Sequence, residues 1–382
     1  MTTRGIIIGA GIGGLSTAIA MQMRHVDVKV FEAATNLNPI GAGILVPPNA
    51  MTILDRYNLA QKVRDGGSQI ESLVVLDSKG KSISKTPAHY SKNGLVYQTI
   101  AIHRGVLQKI LLSALAPDTL FTDKQCLGAS ASIDGAGATF RDGTKVCGEF
   151  LVGADGIHSK VRESIFPDSP LRYSGQTCWR GVSNMTLPQK CLMQLTEIWG
   201  AGLRFGFVPI ADAQVYWYAT KRETAGGIDD PRNIKQQLFD LYGEFLDPVG
   251  EIILQADPSA IIRDDISDLA PLKSWFSNSA ILIGDAAHAS APNLGQGGAQ
   301  AIEDSWVLAE KIANCETLQN AFENFQLLRF ARVQKIVNVS WRIGKATNVS
   351  NKMACKIRNT LVRCIPSFMA KQQSHLIYDV SY

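Results

Sequence analysis

Apolar residues along this chain recur with two periods, and the switches between them mark its elements. An apolar run at 6–8 leads into Gly9-Ala10-Gly11-Ile12-Gly13-Gly14 and then into small, helix-forming residues up to Ala20. That reads as strand, tight turn, helix. Alternation over 27–32 predicts a second strand ending in Glu32, and 50–66 predicts a helix. Strands follow at 72–77 and 81–86, and a short strand ending at His103-Arg104 runs into an amphipathic helix from Gly105. Residues 125–150 read as a small β meander, with Asp134-Gly135 and Asp142-Gly143 as hairpin turns. At 151–162 the strand-to-helix pattern repeats, with Asp155 at the strand end and Ser159 as the cap.

From 174 to 222 strand patterns dominate, at 177–182, 203–209 and 214–220. Alternation in the last places Tyr216 and Tyr218 on one face and Trp217 on the other. Residues 229–255 predict helix and 260–265 a strand. A buried strand at 280–284 then ends in Asp285, and a turn at Pro292 leads to Gly295-Gln296-Gly297-Gly298, which opens a helix. Residues 324–378 read as helical, with a loose apolar stripe at 325, 328, 333, 336, 337, 341 and 343.

Composition adds limits. The chain is 46% hydrophobic and 19% charged, ordinary for a globular protein long enough to build a large core. Its seven cysteines are scattered, with no C-x-x-C pair, which argues against a disulfide framework and a zinc site and for a reducing compartment. No metal site is expected. Four glycines interrupt the uncharged run near the N-terminus and a strand pattern follows at once, which argues against a membrane anchor. The net charge of +4 is uneven: residues 324–378 hold ten Lys or Arg and no Asp or Glu.

The glycines carry the first chemistry. Spaced G-x-G-x-x-G between strand and helix, Gly9 permits the turn, Gly11 lets backbone approach a pyrophosphate, and Gly14 lets helix and strand pack closely. The helix N-terminus offers free N–H groups to phosphate. Glu32 stands 18 residues past Gly14, where a carboxylate meets a ribose hydroxyl. Gly41 and Gly43 leave backbone bare in a loop that must pass close to something flat or phosphorylated. Arg104, at a strand-to-helix corner, is placed for a phosphate or polyol oxygen, and Asp285 for a polyol hydroxyl. Gly295–Gly298 forms a second glycine-rich helix start. Arg204 and the tyrosines of 216–218 form a sheet face suited to a flat polar ring. His288, Glu303 and Asp304 read as structural.

Three motifs stand together, GAGIGG at 9–14, ADGIHSKVR at 154–162 and GDAAHASAPNLGQGG at 284–298. In this order the chain resembles the class A, single-component flavoprotein monooxygenases, the para-hydroxybenzoate hydroxylase-like group, over residues 1–345. It is most similar to salicylate-hydroxylase-like, FAD-dependent urate hydroxylase-like and zeaxanthin-epoxidase-like members. The resemblance implies an α/β fold: a Rossmann-like (GR2-type) FAD-binding domain (1–72, 100–172 and 274–345), an interleaved mixed β-sheet substrate domain (73–99 and 173–273) and a helical C-terminus (346–382). It implies non-covalent FAD held by Gly9, Gly11, Gly13, Gly14, Glu32, Gly43, Arg104, Asp155, Asp285, Gly295, Gln296, Gly297 and Gly298. NADH or NADPH would dock briefly near Asp155-Gly156 and reduce the flavin. Dioxygen would form a C4a-hydroperoxide that hydroxylates or epoxidises an electron-rich aromatic, heteroaromatic or polyene substrate. Arg204, Tyr216 and Pro292 would line the catalytic pocket. In the urate-hydroxylase-like pattern an acid stands where this chain has Asn293. Asn is no base, and this turns the expectation away from urate.

The rival readings are an FAD-dependent reductase of the geranylgeranyl-reductase type and a non-catalytic FAD-binding redox sensor. The expected partners are a small-molecule substrate and O2, with no nucleic acid, in a cytoplasmic monomer or homodimer. The basic C-terminus is expected either to pack on the flavin domain or to touch a membrane weakly. About a third of its ten cations could face a surface at once, worth about 3 kcal/mol, too little for anchoring without buried apolar side chains.

Overall fold

The computed structural model describes residues 2–37, 42–92, 94–167 and 169–380. Three sheets order them. In the first, the strands Leu120–Phe121, Val28–Phe31, Thr2–Ile8, Lys145–Gly153 and Ala280–Leu282 lie parallel, in that order. The meander Cys126–Ser132, Gly135–Phe140 joins its edge through the early half of Lys145–Gly153. The parallel strands are almost continuously apolar because both faces are covered. Ile6, Ile7, Val30, Leu151, Val152 and Ile281 are fully buried in the largest core.

The second sheet has seven strands, in the order Ile262–Leu269, Leu171–Asn184, Gln214–Arg222, Leu203–Ala211, Gln194–Trp199, Ser72–Asp77 and Ser82–Pro87. Its two faces differ, as strand alternation requires. Trp217, stacked on Phe205 at 5.8 Å, packs with Tyr242 beneath the helices Ile234–Tyr242 and Val249–Leu254. Tyr216 and Tyr218 stand on the opposite face with their rings 6.1 Å apart. A third sheet, with Gly43–Val46, Leu95–His103, Gly67–Ile70 and His89–Lys92, is interleaved in sequence with the strands of the second.

Two helices differ from expectation. The segment 50–66 forms Pro48–Arg56 and Ala60–Asp65, broken where Asn58 takes the left-handed conformation at φ 59°. The segment 229–255 also splits, with Gly243 and Pro248 in the gap. The helix Leu318–Thr347 runs 30 residues without interruption. Thr317 caps it, its side chain accepting the Asn320 N–H.

The buried stripe of that helix is Phe322, Phe325, Arg329, Val333, Ile336, Val337, Ser340 and Gly344. A cation thus sits mid-stripe, at 0% exposure. Arg329 donates from Nε to Asp304 (2.8 Å), from Nη1 to Glu303, and from Nη2 to Gln300 Oε1 (2.7 Å). Arg332 adds a second contact to Glu303 at 3.0 Å and holds the carbonyls of Leu376 and Ile377, both at 2.7 Å. Asp304 also accepts the Gly284 N–H (3.0 Å) and bonds His288 Nε2 (2.7 Å). Burial alone would raise the Asp304 carboxyl, but His288, Arg329 and the Gly284 N–H outweigh it and hold the pKa at about 2.

Two outcomes follow. Arg329→Met leaves Glu303 and Asp304 buried without their shared cation and is expected to cost about 3–5 kcal/mol in urea unfolding. Because the Asp304 pKa is depressed in the folded state from 3.8 to about 2, its stabilisation is complete above 3.8 and disappears as pH falls through 2. Asp304→Asn is therefore expected to flatten the acid limb of the stability–pH curve between those values, by about 2 kcal/mol.

Candidate active site

Two helix N-termini meet at the carboxyl ends of the parallel strands. The helix Ile12–Gln22 starts after the first glycine loop and Gly297–Asn314 after the second. They pack so closely that a Cβ on Gly13 would stand 3.2 Å from Ala301 Cβ. Gly9 is at φ 100°, and a Cβ on Gly14 would fall 1.9 Å from its carbonyl oxygen, so only glycine fits there. In front of Gly11 a Cβ would meet nothing within 4 Å. This bare, open backbone before a helix N-terminus is what a pyrophosphate requires.

Glu32 ends the second strand beside that loop, with the Ala10 N–H donating to it at 2.7 Å and the Ala34 N–H at 2.9 Å. The Gln108 amide holds the Ala10 carbonyl at 2.9 Å. Arg104 is exposed at the start of Arg104–Leu112, its backbone N–H on the Ala42 carbonyl. Asp285 opens the short helix Asp285–His288 and is also exposed. A Cβ on Gly297 would lie 3.7 Å from the Asp285 carboxylate. Glu32, Arg104 and Asp285 thus belong to the same end of the sheet as the two glycine loops, and this donor and acceptor set fits a dinucleotide. Asp155 is committed locally: it accepts from Ser159 Oγ (2.5 Å) and from the Lys160 and Val161 N–H groups. Ser159 in turn caps Arg162.

Bare backbone at Gly43 accommodates a ring of the protein itself: a Cβ there would be 2.4 Å from Tyr216 Cγ. Gly41 lies outside the described residues. Gly295, at φ 61°, and Gly298 sit against Leu45 and Ile44 of the same strand. Gln296 is buried, and its Oε1 accepts from Asn49 and Gln300, both at 3.0 Å. Asn49 also reaches Glu303 at 2.5 Å, so the glycine loop is tied to the Arg329 ion-pair network.

The face of the seven-stranded sheet that bears Tyr216 and Tyr218 also holds Arg204, which is 3% exposed. Its Nη2 donates to Asn293 Oδ1 (2.8 Å), and its Nη1 lies 3.8 Å from the Glu197 carboxylate. Glu197 accepts from Trp199 Nε1 and from the Tyr218 hydroxyl. Tyr218 reaches Glu197 because the residue between them in register is Gly206, where a Cβ would be 2.2 Å from the ring. The Asn293 amide donates to the Ser340 carbonyl (3.0 Å), which fixes which of its atoms faces Arg204. Burial raises the Tyr216 and Tyr218 hydroxyls above the usual phenol range, so both stay protonated. Pro292 opens the turn Pro292–Leu294 that carries Asn293.

Reading the sequence missed Asn49, Glu197 and Arg329. A signal existed for Arg329, four residues from both Phe325 and Val333 on the apolar stripe. Glu197 depends on cross-strand register, which no local pattern reveals.

The family described as "FAD binding domain" matches residues 2–338. An aurachin C monooxygenase/isomerase of Stigmatella aurantiaca is 36% identical over 362 residues, covering 95% of this chain and 94% of that protein. A 2-heptyl-3-hydroxy-4(1H)-quinolone synthase of Pseudomonas aeruginosa is 33% identical over 366 residues, with 95% and 94% covered. The crystal structure of Klebsiella pneumoniae HpxO complexed with FAD and uric acid shares the fold at TM-score 0.87 and 24% identity, covering 98% of this chain and 96% of that one. The chain therefore belongs to the FAD binding domain family and is an FAD-dependent monooxygenase.

Gly14→Ala is expected to give protein that purifies with about a tenth or less of the flavin of the parent, read from the visible spectrum, because its Cβ collides with backbone. Gly206→Ala is expected to bind flavin normally yet lose turnover, since it displaces Tyr218 from Glu197.

Proposed function

We propose that this member of the family hydroxylates a neutral, flat N-heteroaromatic ring carrying an apolar tail, the chemistry named in the quinolone relative. The observation that carries the proposal is the charge balance around Arg204. Its counter-charge is Glu197, at 3.8 Å, and its hydrogen-bond partner is the neutral Asn293. An anionic ring such as urate would find no uncompensated cation there, and no carboxylate at 293 to take its proton. A neutral ring asks for neither. Arg204 Nε is buried with no partner among the described residues, an unmet donor in the cluster.

In this reading Tyr216 and Pro292 wall the ring, Tyr218 and Asn293 hold Arg204 in place, and the apolar surroundings exclude water. Gly9, Gly11, Gly13, Gly14 and Glu32 hold the ADP half of FAD. Arg104 and Asp285 hold the polyol chain, and Gly295–Gly298 lies beside the ring system. The nicotinamide docks near Asp155. When bound, FAD reduced by NADH or NADPH supplies the activated oxygen. The proposal keeps the division into a flavin domain (1–72, 100–172 and 274–345), a substrate domain (73–99 and 173–273) and a C-terminal segment (346–382). The seven free thiols support a reducing, cytoplasmic setting, and the proposal takes the enzyme as a monomer or homodimer.

The test is oxygen uptake and product mass with NADH or NADPH, comparing 2-heptyl-4(1H)-quinolone with urate, salicylate and phenol. The quinolone is expected to accelerate nicotinamide oxidation and to gain one oxygen atom. Equal stimulation by urate would overturn the neutral-ring reading. Arg204→Gln, which strands Glu197, is expected to raise KM for the ring by about tenfold or more with flavin content unchanged.

A further inference from the structure

The helix Lys352–Arg363 is amphipathic, but it buries its polar side. Cys355, Arg358 and Asn359 face the protein. Met353, Ile357 and Leu361, at four-residue spacing on one face, are 65%, 56% and 66% exposed. Ile365, just beyond the helix, is exposed as well. A helix packed on a globular body ordinarily turns such a row inward, so an outward row marks an interaction surface. Lys352 and Lys356 are exposed alongside it, and residues 324–378 contain no Asp or Glu.

The helix is firmly seated. Asn351 caps it by accepting the Met353 and Ala354 N–H groups. Arg363 binds Asp77 (2.9 Å) and the Ser82 carbonyl (2.9 Å) at the edge of the seven-stranded sheet. Arg358 lies 4.9 Å over the ring of Trp199, whose indole N–H donates to Glu197. The inner face therefore rests directly behind the Arg204–Glu197–Tyr218 cluster.

We propose that this helix docks the enzyme on an anionic phospholipid surface, with the apolar row in the interface and Lys352 and Lys356 against the headgroups. The cations by themselves are too few to anchor the chain, and the exposed apolar row supplies the missing contribution. A second copy of the chain fits the face poorly. A two-fold pairing along this row sets the lysines of one helix against those of the other, and three side chains fall far short of the roughly 800 Å² per partner of a stable interface. Docked this way, the edge of the substrate-side sheet lies at the lipid, where an apolar-tailed molecule dissolves. The docking is independent of which ring is oxygenated, so its failure would leave the substrate reading standing.

The experiment is co-sedimentation of the full-length, FAD-loaded protein with vesicles of phosphatidylcholine alone or mixed with phosphatidylglycerol, at low and high salt. Binding is expected to the mixed vesicles, at least about tenfold weaker to phosphatidylcholine and reduced by salt. Ile357→Glu/Leu361→Glu, and separately Lys352→Glu/Lys356→Glu, are each expected to weaken it by about tenfold or more while flavin content stays unchanged. The proposal falls if the parent does not bind mixed vesicles, or if both double variants bind as the parent does. It also falls if sedimentation equilibrium shows instead a dimer that the apolar-row variant dissolves.

Discussion

A guanidinium removed from water must find its counter-charges within the protein, and much of this structure is arranged around that requirement at Arg329. The side chain is fully buried against two carboxylates that are adjacent in sequence, Glu303 and Asp304. Because 303 and 304 lie on the helix that begins at the second glycine loop, the ion pairs fix that helix against Leu318–Thr347. Through Asp304 they hold the Gly284 N–H, just before Asp285, and through Glu303 and Asn49 they hold Gln296. Both chain segments at this end of the sheet, around Gly284 and around Gln296, are thus oriented by one buried cation. Replacing such a network with apolar side chains is often no less stable. Its value here is positional, since hydrogen bonds of fixed direction set the loop where packing alone would leave it loose.

The seven-stranded sheet carries a second electrostatic device, with the opposite aim. Arg204, Glu197, Tyr218 and Asn293 partner one another, with only Arg204 Nε left over among the described atoms of this cluster, so this sheet face carries strong dipoles and little net charge. Glycine makes this possible twice. Gly206 lets Tyr218 cross a strand to Glu197, and Gly43 lets Tyr216 lie flat on backbone. In both places the missing side chain serves an aromatic ring of the protein itself. The long helix joins the two devices, for Ser340 fixes the Asn293 amide from the same face that carries Arg329 eleven residues earlier.

The basic segment 324–378 is therefore tied into the body of the protein. Of its cations, Arg329 and Arg332 are spent inside, Arg358 stacks on Trp199 and Arg363 holds Asp77. Counting charges along the chain overstates what a surface would meet. What the count omits is the apolar row at 353, 357 and 361, whose outward direction follows from the buried polar side of its helix.

Local geometry explains how much was legible. Gly9, Gly11 and Gly14 answer constraints within a few residues of themselves, as do the alternation of Tyr216, Trp217 and Tyr218, the cap at Ser159 and the turn at Pro292. The amino-acid sequence by itself determined these, together with the parallel sheet, the dinucleotide loop and the family. Only the tertiary structure decided that Glu197 meets Arg204 and Tyr218, that Gly43 serves Tyr216, and which face of 352–363 turns outward. Each of these is set by strand register or by packing between distant segments. A one-residue change of register or a quarter turn of a helix would change every such partner while leaving the local pattern intact.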